Sequence, residues 1–149
     1  MADGPADPLA VFAFRIDVNN KVGGYFTEVS GMGSETEVIE HKVISPDNSA
    51  EIVQKIPGRL KWGDVSLKRG ITAELDVWNW RKLVEDGKVA DARASGSIFM
   101  FDQTGVITAQ WDFVNAWPSK VSGPSINAGS SAVGIEEMTI VHEGITRVK

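Results

Sequence analysis

The sequence predicts a mainly β domain, a sandwich or small barrel, with one appended α-helix. Three observations lead there. Short stretches of alternating apolar and polar residues recur along the chain, separated by breaks rich in Gly, Pro, Asn and Ser. One stretch alone has helical spacing free of Gly and Pro over several turns. The 149 residues include 15 Gly and 5 Trp, which suits many turns and a few large anchors. The hydrophobic fraction of 42% and the charged fraction of 23% are those of an ordinary globular protein, and the length fits one domain. Residues 1–10, with Asp3, Pro5, Asp7 and Pro8, read as a flexible N-terminal arm, leaving 11–149 as a single β domain.

Each element follows from its own pattern. Val11 to Val18 places Phe12, Phe14, Ile16 and Val18 on one face and Ala13, Arg15 and Asp17 on the other, a half-buried strand. Asn19-Asn20-Lys21 turns the chain, and Tyr25 to Val29 completes a hairpin. Glu35 to Ile44 reads as a strand with one face in water. Ser45 to Ala50, containing Pro46, Asp47 and Asn48, reads as a loop. Glu51 to Ile56 is expected to be a short strand that Pro57-Gly58 ends in a turn, and Trp62 to Arg69 is a further strand. The helix is expected over Ala73 to Glu85, with Thr72 as N-cap, Glu74 and Asp76 in the first turn and Gly87 just past the end. Val77, Trp80 and Val84 form its apolar stripe, with Trp78 off that stripe beside Leu75.

The remainder returns to β. Ile98 to Phe101 is an unbroken apolar run, expected of a strand covered on both faces. Asp102 to Gly105 is a hairpin turn. Ile107 to Trp117 alternates, with Ile107, Ala109, Trp111 and Phe113 opposed to Thr108, Gln110 and Asp112. Ser119 to Ser131 reads as a long loop and Val133 to Glu143 as the last strand, with a short tail after Gly144. Glu136-Glu137 inside that strand suggests a bulge or an edge.

The composition excludes much chemistry. The absence of Cys removes disulfides, thiolate metal sites and a Cys nucleophile. The two His, His41 and His142, are too far apart in sequence to suggest a metal site. A net charge of −5 argues against a basic nucleic-acid-binding face. No phosphate-binding loop, dinucleotide fingerprint, nucleophile elbow or zinc-protease motif occurs. Glu35 with Glu37 reads as a solvated acidic face, and Lys55, Arg59, Lys61, Lys68 and Arg69 as a modest basic cluster on a salt-bridging or solvated face. The sequence therefore predicts no enzyme, no cofactor and no metal. The acidic start lacks the basic region of a signal peptide, and no apolar run is long enough to span a bilayer, so assembly in the cytoplasm without stable membrane anchoring is expected. Five Trp are more than one small core absorbs easily, which points to at least one subunit anchor among them.

Five blocks in order carry a resemblance over about Phe12 to Gly144. They are Phe26-Thr27-Glu28-Val29-Ser30-Gly31-Met32; Pro57-Gly58 with Lys61-Trp62-Gly63-Asp64-Val65-Ser66-Leu67-Lys68-Arg69-Gly70; the Trp-bearing helix; Asn115-Ala116-Trp117-Pro118-Ser119-Lys120; and Ile135-Glu136-Glu137-Met138-Thr139-Ile140-Val141-His142-Glu143-Gly144. In that order the chain resembles the tail tube family of contractile phages and phage-tail-like contractile injection systems. The resemblance implies two packed antiparallel sheets with one flanking helix. It also implies hexameric rings of this chain stacked into a hollow tube with a continuous inner β-wall. Sheath, baseplate and spike proteins would be partners, and a cargo effector or DNA would pass through the lumen of an injection particle or a virion. Neighbouring genes would separate those two. A ring needs a closing heterologous contact and a stack needs an open one. On that basis Ser45, Pro46, Asp47, Asn48, Trp62, Lys68 and Trp117 are candidate intersubunit contacts, and Glu35, Glu37, Thr108, Gln110 and Asp112 candidate lumen-facing residues. The rival reading is a soluble β-sandwich binding module, with an unrecognised enzyme behind it.

Overall fold

The computed structural model describes residues 13–46, 50–124 and 134–149. Its strands are β1 (Ala13–Val18), β2 (Val22–Phe26), β3 (Glu28–Ser30), β4 (Ser34–Ile44), β5 (Glu51–Trp62), β6 (Val65–Gly70), β7 (Ala94–Phe101), β8 (Ile107–Ser122), β9 (Ile135–Val141) and β10 (Ile145–Arg147). The helices are α1 (Asp76–Glu85) and α2 (Val89–Ala92). An eight-stranded sheet runs β2-β1-β7-β8-β9-β6-β3 with β10 added on β8, and β4 pairs with β5 in a separate two-stranded ribbon.

Strand β8 turns the larger sheet into two packed halves. Its first part pairs with β7 and β10, its second part with β9, and every pairing is antiparallel. The change of partner falls at Asn115, which has φ 50, a conformation Asn tolerates better than most residues. The Asn115 Nδ2 donates to Glu143 Oε2 at 2.8 Å and holds the bend. On the far side only Thr27 separates β2, paired with β1, from β3, paired with β6, and its N–H donates to the Lys68 carbonyl at 2.9 Å. The sheet thus curls back on itself as a flattened barrel of two antiparallel faces.

The core lies between those faces. Ile16, Val18, Val22, Ile98 and Phe113 come from one half, and Val65, Leu67, Met138 and Ile140 from the other. Burying each aliphatic side chain of this size contributes ~1.5–3 kcal/mol. Val77 and Trp80 of α1 and Ala92 of α2 join the same cluster. The Trp80 indole N–H donates to the Ala92 carbonyl at 2.6 Å, which satisfies the only polar atom the ring brings inside. Arg81 reaches from α1 to the Pro118 carbonyl at 3.1 Å and ties the helix to β8.

Several expectations need correction. Pro57-Gly58 does not end a strand: β5 continues to Trp62, and the pairing slips between Thr36 and Val38 instead. A bulge is where a strand accepts proline. A β-carbon at Gly58 would stand 3.1 Å from the Glu37 carbonyl and from the Ile39 side chain, so glycine lets the two strands approach closely there. Gly63-Asp64 breaks the predicted Trp62–Arg69 strand, so that β6 starts at Val65. The helix starts at Asp76, not Ala73, and has no side-chain N-cap; the Thr72 hydroxyl instead accepts from the Glu74 N–H at 3.2 Å, in a turn before the helix. Gly87 ends α1 as expected, with φ 79 and its N–H on the Val84 carbonyl at 3.0 Å. The second helix was missed because four residues carry no readable period. The predicted loop from Ser119 begins later, since β8 runs to Ser122, and residues 125–131 lie outside the described residues. The short tail after Gly144 is a strand, β10, on β8. Glu136 marks no bulge: β9 keeps its register with β6 through Glu136, and the reason is an ion pair.

Candidate functional site

The ribbon is the most exposed element. Of the twenty-three residues of β4 and β5, not one is buried. The pairing places Ile39 opposite Ile56 and Val43 opposite Ile52, with His41 and Gln54 between them, on one face. The other face pairs Glu40 with Lys55 and Lys42 with Val53. Strand alternation predicts one wet face here, and the structure leaves both open, with Ile39 49%, Ile56 42% and Leu60 52% exposed. At the tip the Ser45 N–H donates to the Ala50 carbonyl at 2.8 Å, which places Ser45 and Pro46 at the far end. Asp47 and Asn48 lie outside the described residues, as does the arm over residues 1–10. The ribbon's root holds Glu35 and Glu37 beside Arg59 and Lys61, which together line a shallow concavity of about 220 Å³. The acids expected to face a lumen thus meet two members of the predicted basic cluster. The cluster itself is scattered, with Lys55 opposite Glu40 along the ribbon, Lys68 against Glu28 on β6, and Arg69 buried rather than solvated.

The second predicted lumen set sits on the outward face of the barrel. Gln110 Nε2 donates to Asp112 Oδ1 at 2.9 Å, the Ser97 hydroxyl donates to the same oxygen at 2.6 Å, and the Thr108 hydroxyl donates to the Met100 carbonyl at 3.2 Å. Those bonds from Ser97 and Gln110 hold the Asp112 carboxyl below its usual range. Beside it lies a group that sequence reading did not find. Arg15 stacks 4.8 Å over Phe99 and 5.7 Å over Phe101, and Tyr25 stands 5.9 Å from Phe101. The signal was present in the odd positions of two strands, Arg15 with Asp17 and Phe99 with Phe101, but their register was not.

The remaining predicted contacts are spread out. Trp62 ends β5 and Trp117 lies in β8 opposite Val141; both are half-buried against the barrel's own core. Lys68 is on β6, its ammonium 3.8 Å from Glu28 across the β3 pairing. The structure brings Glu35 and Glu37 together, and Thr108, Gln110 and Asp112 together, while Lys68, Trp62 and Trp117 belong to different elements.

A buried charge cluster anchors the helix. Arg69 is 5% exposed and Glu136 3%. Arg69 Nε donates to Glu136 Oε1 at 2.5 Å and Nη2 to Asp76 Oδ1 at 2.5 Å. Glu136 Oε2 accepts the Trp78 indole N–H at 2.9 Å, and Asp76 Oδ2 accepts the Gly23 N–H at 3.3 Å. Burial opposes the Arg69 charge, but the bonds and charges of Asp76 and Glu136 outweigh it and raise its pKa above the ordinary value. One guanidinium therefore ties β6, β9, α1 and β2 together. It also explains why Trp78 lies off the helix's apolar stripe.

No three metal-ligating side chains converge among the described residues, and no helix there is long and apolar enough to cross a membrane. No curated protein sequence matches the chain. Solved structures share its fold. A chain of the PVC sheath-tube complex in the extended state, from an extracellular contractile injection system, superposes with a TM-score of 0.75 at 19% identity, covering 94% of this chain and 90% of that one. A chain of the anti-feeding prophage cap, the AFP tube terminating cap, gives 0.77 at 17% identity, covering 99% and 95%. Hcp1 from Flavobacterium johnsoniae gives 0.55 at 14% identity, covering 92% and 95%. The family model described as T4-like virus tail tube protein gp19 matches residues 10–146, and the chain belongs to that family.

Proposed function

We propose that this chain is the structural subunit of the inner tube of a contractile, phage-tail-like injection system. Hexameric rings of it stack into a hollow tube that sheath contraction propels, and the tube's lumen carries a cargo effector or DNA. The observation that carries this reading is the ribbon. A two-stranded hairpin with aliphatic residues open on both faces is marginal alone in water, and exposed apolar surface of this kind marks an interaction site. Family membership supplies the kind of partner, a further copy of the chain. The similarity to a sheath-tube complex and to a tube terminating cap supports sheath and terminator as neighbours, with baseplate and spike at the other end. The role is mechanical, and no residue is assigned to catalysis.

In this reading the ribbon, with Ser45 and Pro46 at its tip, reaches a neighbouring ring. Trp62, Lys68 and Trp117 border neighbouring subunits, and Asp47 and Asn48 extend the tip contact. The polar row Thr108, Gln110 and Asp112, with Glu35 and Glu37, faces the lumen, where a charged and hydrated wall does not hold what passes. The particle assembles in the cytoplasm and is released from it. Because the family model takes its description from a virus, a phage virion is the second reading. A capsid gene beside this one selects the virion, and sheath and baseplate genes without a capsid select the injection system. Negative-stain microscopy and sizing of the purified full chain test the assembly itself: rings or tubes are expected, and monomers at every concentration overturn it.

A further inference from the structure

The ribbon joins the barrel through two backbone junctions that touch. One is Gly31-Met32-Gly33 between β3 and β4, the other Gly63-Asp64 between β5 and β6. The Gly63 N–H donates to the Gly33 carbonyl at 2.9 Å. Gly31 has φ 84 and lies against the Asp64 carbonyl so closely that a β-carbon there would overlap it, and one at Gly63 would stand 2.8 Å from the Gly31 carbonyl. Two closely packed glycine junctions side by side make a narrow neck, with a cavity of about 560 Å³ along it lined by Met32, Ser34, Lys61 and Trp62 among others.

One half-buried titratable side chain sits against this neck and has no part in the tube reading. His142 follows β9, with its ring 5.9 Å from that of Trp62, the last residue of β5. Its Nδ1 accepts the Gly144 N–H at 3.2 Å, which fixes the neutral tautomer with hydrogen on Nε2. Nε2 is buried without a hydrogen-bond partner among the described residues. The groups around the ring are few. Trp62 from β5 is uncharged. From the junction, the Gly63 backbone and the Asp64 charge both favour the protonated ring. Glu143, next in the chain, is occupied by Asn115. Val114 of β8 holds the Glu143–Gly144 turn through its own N–H and carbonyl, at 3.1 and 3.0 Å. A proton on Nδ1 would point at the Gly144 N–H, and the half-buried imidazolium would have Asp64 as its one counter-charge among the described residues.

From this geometry we infer that His142 is an acid-sensitive latch on the ribbon. While neutral it holds the Gly144 turn under Trp62 and fixes the ribbon's angle; when protonated it releases both, and the ribbon swings at the glycine neck. The inference concerns the isolated subunit and stands whether or not the chain builds a tube.

The chain has two histidines and no cysteine, which makes the test clean. In the full chain, NMR follows both imidazoles and the Gly144 amide from neutral to acid pH. His142 is expected to titrate below the ordinary imidazole value of about 6.5. Gly144 protection, corrected for intrinsic exchange, is expected to fall about tenfold in step with His142. His142→Gln, whose side-chain oxygen still accepts from Gly144, is expected to hold that protection constant, whereas His41→Gln leaves the wild-type fall in place. Spin labels on Lys42→Cys and Lys120→Cys report the ribbon against the barrel, and their distance distribution is expected to broaden over the same pH range. Protection that ignores the His142 titration, or a distribution of constant width, overturns the latch. If His142→Gln does not fold, the wild-type titration and the label pair still decide.

Discussion

Strand β6, in the barrel, buries Val65, Leu67 and Arg69 and leaves the residues between them half-covered; strand β4, in the ribbon, buries nothing over a longer run. Both are antiparallel to their partners; β6 keeps its register with β9 throughout, and β4 slips once against β5, between Thr36 and Val38. The difference lies in what stands behind each strand. β6 has β3 and β9 at its sides and the opposite half of the sheet across the core, whereas β4 has only β5. The barrel therefore carries its stability within one subunit. The ribbon leaves its aliphatic residues uncovered within the subunit. Substitutions should separate accordingly: those in the barrel act on folding, those in the ribbon on assembly.

The largest effect is expected at the charge cluster. Glu136→Ala removes the Arg69 Nε partner and orphans the Trp78 indole N–H, leaving a buried guanidinium with Asp76 alone. Removing one member of a buried pair costs ~3–5 kcal/mol. Chemical denaturation should show that loss, and a loss below about 1 kcal/mol would mean that water enters the cluster as readily as the surface pairs that cost so little. The contrast across the neck is the second test. Ile39→Ser with Ile56→Ser removes the paired aliphatics of one ribbon face. Unfolding of the dispersed subunit should change by no more than about 0.5 kcal/mol, because neither residue is buried in the subunit. Tube formation, scored by microscopy, should be abolished. Destabilised monomers that still form tubes would reverse the division of labour.

The same contrast explains what could be read from the chain beforehand. In the barrel, period-two alternation is imposed by a covered face, so the strand containing Ile107, Ala109, Trp111 and Phe113 was legible residue by residue. In the ribbon no face is covered within the subunit, the alternation is blurred, and Pro57-Gly58 passed for a turn. The pairing shows why: Gly58 and Arg59 together stand opposite Glu37, and such a bulge beside Pro57 is how a long ribbon absorbs a residue that cannot join the ladder. The helix start moved because Asp76 is fixed by Arg69 through tertiary contact, which no capping rule anticipates. Glu136 was read as an edge residue because its partner is sixty-seven positions away. The family blocks reached the fold and the assembly class. They did not say which side chains meet, since Arg15 on Phe99 and Asp112 with Ser97 depend on register.

A smaller effect is expected from pH on the neck. Burial lowers the His142 pKa on folding, outweighing the Gly63 backbone, the Asp64 charge and the Gly144 backbone, which raise it. The unfolded chain therefore binds the proton more readily, and its contribution to stability is intact above the unfolded value of about 6.5 and declines as the pH falls below it. Denaturation midpoints of the full chain and of His142→Gln should converge in acid and separate at neutral pH; parallel curves would place the acid sensitivity elsewhere.

The smallest effect sharpens the barrel's outer face. Ser97→Ala deletes the shorter of the two hydrogen bonds on Asp112 Oδ1 and leaves that from Gln110. Because those bonds favour the charged form, the carboxyl pKa should rise toward its ordinary value in the dispersed subunit. The sign follows for stability: a carboxyl depressed on folding stabilises above its unfolded pKa and loses that contribution as the pH falls through its folded one. In Ser97→Ala less is lost over that window, which carbon-detected NMR of the aspartates resolves. Assembly then separates the two environments this face can have. If Thr108, Gln110 and Asp112 line a water-filled lumen, Asp112 should titrate in the tube as it does in the subunit. A face closed between subunits would instead desolvate the carboxylate and move it upward, and that result would remove this row from the lumen and assign it, with Arg15, Phe99 and Phe101, to the ring contact.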